Sequence, residues 1–485
     1  MIARPALIAI CLLLAGCLGQ GQRADEGVIE ASVIGGAPQL ADPSRSALNG
    51  ASRVLMGATA QGLVRFDASG QVEPALAERW IVIGDGTSYI FRLRDARWSN
   101  GKPVTAEAVV ARLRAAARPG SRNPMRDYLS AIDEIVVMTP QVIEIRLSSP
   151  RPELLRLLAQ PELALFDVPS LTGSGPMRLA SRDGGVVRLE PVSDNDEAEA
   201  ASADPRNTVL LRGERAARAV ARFAQQRSDL VMGGTYADRP IVDVSSVAPA
   251  NIRVEAVAGL FGLAVVEREG LLADAEFRAA LAMAIDRETL ARLLGDSWRA
   301  ETRILPARYE SAAAPAEAGW SALSLADRRA AARQVVARLA SANAPLPPLR
   351  IALPEGPGSR LVFSRLTADF SAIGVPVARV GMDQDADLRL IDAVAPHDNA
   401  RWFLANACRP CGEPAVAALE AARTAPDMVQ RGARLAEADA LIAGDQPFIP
   451  LAQPVRWSLV SLRLRDWTTN PRAVHPLNRL RRGTN

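Results

Sequence analysis

Histidine, lysine and cysteine are scarce in this chain of 485 residues, which has two histidines (His397 and His475), one lysine (Lys102) and four cysteines. Two histidines leave little room for histidine-based acid–base chemistry or a histidine-rich metal site. No G-x-S-x-G, H-E-x-x-H or G-x-x-x-x-G-K pattern occurs either. Carboxylate pairs such as Glu267 and Glu269 read as solvated charge, so the chain is not expected to be an enzyme, and neither a metal nor a cofactor is expected. Aromatic residues make up only 4%, too few for a base-stacking surface, and a net charge of +3 is too small for a nucleic-acid footprint. What is present is ordinary for a globular protein, 48% hydrophobic and 23% charged, and long enough for two or three domains.

One apolar run stands at the N-terminus. Ala6 to Leu14 follows a single positive charge, Arg4, and is too short to span a bilayer. It ends in Leu14-Ala15-Gly16-Cys17, which resembles the lipobox of bacterial lipoproteins. On that resemblance residues 1–16 are a signal peptide and Cys17 carries lipid; a plain signal peptide or a short anchor is the alternative. Cys11 lies in the signal, which leaves Cys408 and Cys411 in Cys408-Arg409-Pro410-Cys411. In an oxidising compartment a local disulfide is expected, with a thioredoxin-like redox pair as the sharper alternative.

The stretch from Gly62 to Leu113 organises the rest. Asp67-Ala68-Ser69-Gly70 and Asp85-Gly86 are turn signals, and Tyr89, Phe91 and Leu93 alternate with Ile90 and Arg92 as in a strand. Thr105 is placed to cap a helix whose stripe is Val109, Val110 and Leu113. The wording Gly62-Leu63-Val64-Arg65-Phe66-Asp67, Pro74-Ala75-Leu76-Ala77-Glu78, Trp80, Asp85-Gly86, Tyr89 to Arg94 and Asn100 to Glu107 resembles the family 5 extracellular solute-binding proteins. These are the peptide- and nickel-binding receptors of ABC importers. Further wording follows in order: Gly173-Ser174-Gly175-Pro176, Ser228 to Gly234, Ala284-Ile285-Asp286-Arg287 and Gln446 to Leu451. An acidic segment over 193–205, without aromatics, departs from the family pattern.

The resemblance implies an α/β, two-lobed periplasmic-binding-protein fold (type II-like, class C), with mixed sheets and an extra subdomain in the N-terminal lobe. The expected division is 1–16 signal peptide, 17–50 tether and start of lobe 1, 51–165 extra subdomain, 166–262 lobe 1 continued, 263–444 lobe 2, and 445–485 return to lobe 1. Patterns predict strands over 132–137, 142–147, 257–267, 349–353, 374–380, 387–391 and 455–460, and helices over 152–159, 215–226, 325–339 and 361–373, and residues 434–442 resemble the family's last helix. Asp286 and Gly295 bracket one more helix.

A receptor of this family closes two lobes on a small solute, most often a peptide or peptide-like molecule, and delivers it to an ABC permease. The implied protein is a monomer in the periplasm or cell envelope, attached through lipid on Cys17, with no nucleic-acid partner. Peptide-binding relatives pair an aspartate with the ligand's α-ammonium. Aligning Asp398 with the second aspartate of that segment puts Ala395 in the partner's place. The nearby His397, Asp398, Arg401 and Trp402 are ligand-contact candidates, weighed against a solvated loop with a packed tryptophan; Tyr236 is a fifth. A family member turned sensor or assembly partner, and a periplasmic thiol oxidoreductase using Cys408 and Cys411, are the alternative functions.

Overall fold

A computed structural model describes residues 27–192, 205–340 and 346–481. Cys17, and with it the lipidation expectation, lies outside the described residues, as does most of the 193–205 segment.

Three sheets carry the architecture. The first has seven strands in the order Met177–Asp183, Val186–Pro191, Val209–Glu214, Ile29–Ile34, Leu230–Gly234, Val455–Val460 and Ile252–Ala256. It is mixed: Ile29–Ile34 runs parallel to both its neighbours, whereas Val455–Val460 is antiparallel to both of its own. Side chains alternate across it with period two. Leu230 and Met232 pack toward the helix Gly50–Thr59, and Val231 packs with Trp457 toward the helix Ala216–Ala224.

The second sheet has five strands in the order Val377–Val380, Leu349–Ala352, Leu388–Val394, Gly259–Val265 and Phe448–Pro450. Phe261, Leu263 and Val265 point into one core with the helices Ala275–Ala284, Leu325–Leu339 and Pro357–Ser371. Leu260 and Ala264 point into the other, with Ala400–Ala407, Glu413–Thr424 and Met428–Asp445.

The third sheet is the opening block itself: Ala77–Ile83, Ser88–Leu93, Val142–Leu147 and Ile132–Thr139, all antiparallel, covered by the helix Ala106–Ala117. Thr105 caps that helix, its side-chain oxygen accepting from Ala108 N at 3.2 Å. Asp286 caps the helix Arg287–Leu294 in the same way, and Gly295 follows it with φ 126°.

Among the described residues the chain passes between the first two sheets twice, at 257–258 and 451–454. The two crossings lie side by side, Val257 N donating to Pro454 O at 3.0 Å. The expected lobe boundaries shift accordingly. The strand Gly259–Val265, placed across the 262/263 border, lies wholly in the second sheet. Phe448–Pro450, expected in the return to lobe 1, pairs with Gly262–Ala264 there, because its three buried residues complete that sheet's edge. The helix Gly50–Thr59, most of it placed in the extra subdomain, packs on the first sheet, since Ala51, Leu55 and Ala58 match the apolar face of Ile29–Ile34.

Candidate functional site

A cavity of about 360 Å³ opens between the two lobes. Five separate parts of lobe 1 build its walls: the strand ends of the first sheet, the helix face from Gly50 to Ala58, the hairpin at Arg65 to Glu73, Ala159 to Pro161, and the C-terminal segment 472–479. Val394, Ala395 and Pro396, which end the central strand of the second sheet, supply the opposing lobe.

Local chemistry explains these placements. Trp457 lies flat over Gly234, where a Cβ would come within 2.2 Å of the indole, so only glycine leaves room. Its Nε1 donates to Thr235 O at 2.8 Å, which satisfies the polar end of the ring. The C-terminal segment is irregular up to a short 3-10 turn at Leu477–Arg479 and is held by the turn predicted at Asp67 to Gly70. Thr468 Oγ1 donates to Ala68 O at 2.8 Å, and Asn470 Nδ2 to the same oxygen at 3.3 Å. Asn470 N donates to Glu255 Oε1 at 2.7 Å, and Glu255 Oε2 faces His475 Nε2 at 3.1 Å.

Arginine dominates the charge of the wall. Arg65 and Arg479 share Glu73, at 2.7 and 2.8 Å. Arg456 meets Asp392 at 2.7 Å, and Arg53 meets Glu162 at 3.0 Å. Arg472 reaches Asp398 at 3.0 Å and donates to Pro396 O at 3.3 Å, with its guanidinium 5.5 Å from the centre of the Phe66 ring. Burial lowers the Arg472 pKa, with the Asp398 charge opposing the shift.

Direct bonds join the lobes beside the cavity. Gln160 donates to Pro396 O, Arg156 meets Asp398 at 3.3 Å, and Asn399 donates to Glu153. Arg431, almost fully buried, lies 3.5 Å from Glu153 of the opposite lobe and 3.2 Å from Glu310 of its own. Arg151 crosses to Arg423 O at 2.8 Å.

Four of the five sequence candidates gather at this contact rather than in the cavity. His397 is fully buried with its ring edge-on to Tyr128 at 4.9 Å, and neither ring nitrogen has a hydrogen-bond partner among the described residues. Burial, and then the charges of Arg472, Arg431, Arg156 and Arg401, push its pKa down to about 3, so the ring is neutral at pH 7. Asp398 is held between Arg472 and Arg156. The Arg401 guanidinium sits 5.9 Å from the centre of the Tyr128 ring. Trp402 is packed edge-on to Phe403 and borders a separate open groove shared with Tyr128 and Arg409. Tyr236 lies away from all four: it is buried in the second lobe, bonded to Ser359 Oγ at 3.0 Å and packed on Phe261. None of the five lines the cavity.

The residues that do line it went unnoticed in the sequence. Ala395, three positions before Asp398, was the nearest signal, and it is in the wall. Arg472 and His475 sit in a coil, and Arg479 ends a single 3-10 turn, with no periodic pattern; only the rarity of histidine marks that segment out.

Cys408 and Cys411 are joined by a disulfide, at the end of the helix Ala400–Ala407. Among the described residues no cluster of three histidine, cysteine or carboxylate side chains could hold a metal ion. No described helix is long and apolar enough to cross a membrane.

Comparison with known proteins agrees with this geometry. The probable deoxycholate-binding periplasmic protein YgiS of Escherichia coli K12 is 39% identical over 94 residues, which is 19% of this chain and 17% of the relative. The curated relatives are thus matched in sequence over about a fifth of their length. Structural similarity extends much further. The oligopeptide-binding protein OppA of Haemophilus influenzae, solved in complex with RPPGFSPFR, superposes with a TM-score of 0.78 at 16% identity, over 93% of this chain and 98% of that one. The Escherichia coli murein tripeptide binding protein MppA gives 0.79 at 18% identity, over 95% and 99%. At such identities the likeness shows a common two-lobed fold. The family model for the middle region of the bacterial extracellular solute-binding proteins, family 5, matches residues 71–384, well over half of the sequence, and the chain belongs to that family.

Proposed function

We propose that this protein is the extracytoplasmic receptor of a peptide-type ABC importer, which captures a small peptide or peptide-like solute between its lobes and delivers it to the permease. The cavity between two lobes that also bond to each other directly carries this reading. Contacts made only when the lobes meet are what a ligand needs to shift the population toward closure. Lobe 1 is the seven-stranded sheet with the opening block as its subdomain, and lobe 2 is the five-stranded sheet with its helices. The protein works in the periplasm or cell envelope, attached through a lipid on Cys17, and as a monomer. Its role is capture and not catalysis: His397 is neutral and enclosed, and the cavity's charged residues are tied into ion pairs.

A thermal-shift screen of di- to pentapeptides, opines and metal chelates tests the proposal. A ligand is expected to raise the melting temperature and to reduce the radius of gyration measured by small-angle scattering. No response in any of the three classes overturns it.

A further inference from the structure

Arginine side chains and one glutamate make up the formal charge facing the cavity: Arg53, Arg65, Arg456, Arg472 and Arg479 against Glu73. The other counter-charges, Glu162, Asp392 and Asp398, stand behind the wall, each bonded to one of these arginines. Two of the carboxylates are shared. Glu73 serves both Arg65 and Arg479, and Asp398 serves both Arg472 and Arg156. Cations therefore outnumber anions around the cleft even when Glu255, buried behind His475, is counted. The Arg472 side chain is 6% exposed, and its guanidinium is held at the wall by Asp398 and by Pro396 O.

The apolar part of the wall matters equally. Phe66 and Val394 line the space, and Ala395, at the end of the second lobe's central strand, brings no charge to it. A free ammonium would meet guanidinium groups and methyl groups there, with Glu73 already engaged by two arginines. A carboxylate would meet planar forks suited to it. The volume is at the small end of the roughly 300–1,000 Å³ typical of small-molecule sites.

Building on the receptor reading above, we propose that the cleft is selective for a small organic anion with an apolar body and no free ammonium, of the class of an N-acylated amino acid or N-acylated dipeptide with a free carboxylate. The guanidinium forks take the carboxylate, those of Arg65 and Arg479 foremost because they share one glutamate, and Phe66 and Val394 take the body.

Isothermal titration of the whole chain with four related compounds tests this: N-acetyl-Leu-Phe, Leu-Phe, Leu-Phe amide and N-acetyl-Leu-Phe amide. N-acetyl-Leu-Phe is expected to bind at least tenfold more tightly than Leu-Phe, and neither amide is expected to bind measurably. Arg479→Gln, at a half-exposed position, should weaken N-acetyl-Leu-Phe at least fivefold while leaving the ligand-free melting temperature within about a degree. Ala395→Asp should narrow or reverse the preference over Leu-Phe. Equal or tighter binding of Leu-Phe or of either amide overturns the anion selectivity, as does an Arg479→Gln variant of unchanged affinity. If none of the four binds but another peptide or a chelate does, the selectivity fails and the receptor reading stands. If nothing binds, both fail.

Discussion

His397 and Asp439 show how single buried groups give this protein opposing responses to pH. The His397 pKa is pushed down to about 3, so between pH 6.5 and 3 the unfolded chain binds a proton that the folded protein refuses. The stability contributed by the neutral ring is complete above pH 6.5 and falls as the solution is acidified, by about 2 kcal/mol between pH 6.5 and 5. Asp439 is buried with one oxygen accepting from Ala316 N at 2.7 Å, and burial raises its pKa to about 6. Here the folded state holds the proton longer, so stability falls as pH rises from about 4 to 6, by roughly 2–3 kcal/mol. Melting temperatures of His397→Phe and Asp439→Asn measured from pH 4 to 8 separate the two. The first variant should lose less stability than the parent on acidification from pH 7 to 5, and the second should lose the decline between pH 4 and 6. A His397→Phe profile parallel to the parent's would show that the histidine is not the acid-sensitive group.

At the scale of elements, the legible parts were those whose residues obey one local rule. The helices at Thr105 and Asp286 have side-chain caps as well as apolar stripes, and both formed where the pattern put them. Thr105→Ala should cost about 1 kcal/mol in chemical denaturation, because Ala108 N loses its acceptor. The helix ending at Asp445 begins at Met428, earlier than the predicted Arg434: Asp427 caps it by accepting from Gln430 N at 2.8 Å, and its first turn exposes Val429 and buries Arg431, the reverse of an amphipathic pattern. Phe448–Pro450 could not be assigned from pattern at all, since three apolar residues have no period, and only the open edge beside Gly262–Ala264 decides their partner. The same limit explains the site. His397, Asp398 and Arg401 stand where the two lobes meet, and a sequence presents such residues in the same way as ligand contacts. The residues of the actual cavity come from the hairpin, the sheet ends and the C-terminal coil, which meet only in three dimensions.

The whole molecule is two bodies hinged at 257–258 and 451–454 and latched at the cleft. A latch of a few hydrogen bonds, each worth about 1 kcal/mol net, can change the ratio of closed to open forms by roughly a factor of ten for each 1.4 kcal/mol removed. Arg156→Ala with Gln160→Ala removes two of these cross-lobe contacts from the side of lobe 1. The double variant should show a larger radius of gyration than the parent without ligand, bind its ligand several-fold more weakly, and unfold at nearly the parent's denaturant midpoint. An unchanged radius would mean that the latch does not set the equilibrium.

The position of one strand within its sheet has a temporal consequence. Val455–Val460 lies between Leu230–Gly234 and Ile252–Ala256, so a C-terminal segment is an interior member of the seven-stranded sheet. In order along the chain, the second lobe has all its strands by residue 450, but the first still has a gap where Trp457 belongs. The wall at 472–479 arrives later still. The cavity is thus closed only by the C-terminal part of the chain, and a chain that has not yet delivered that part has no means of enclosing solute.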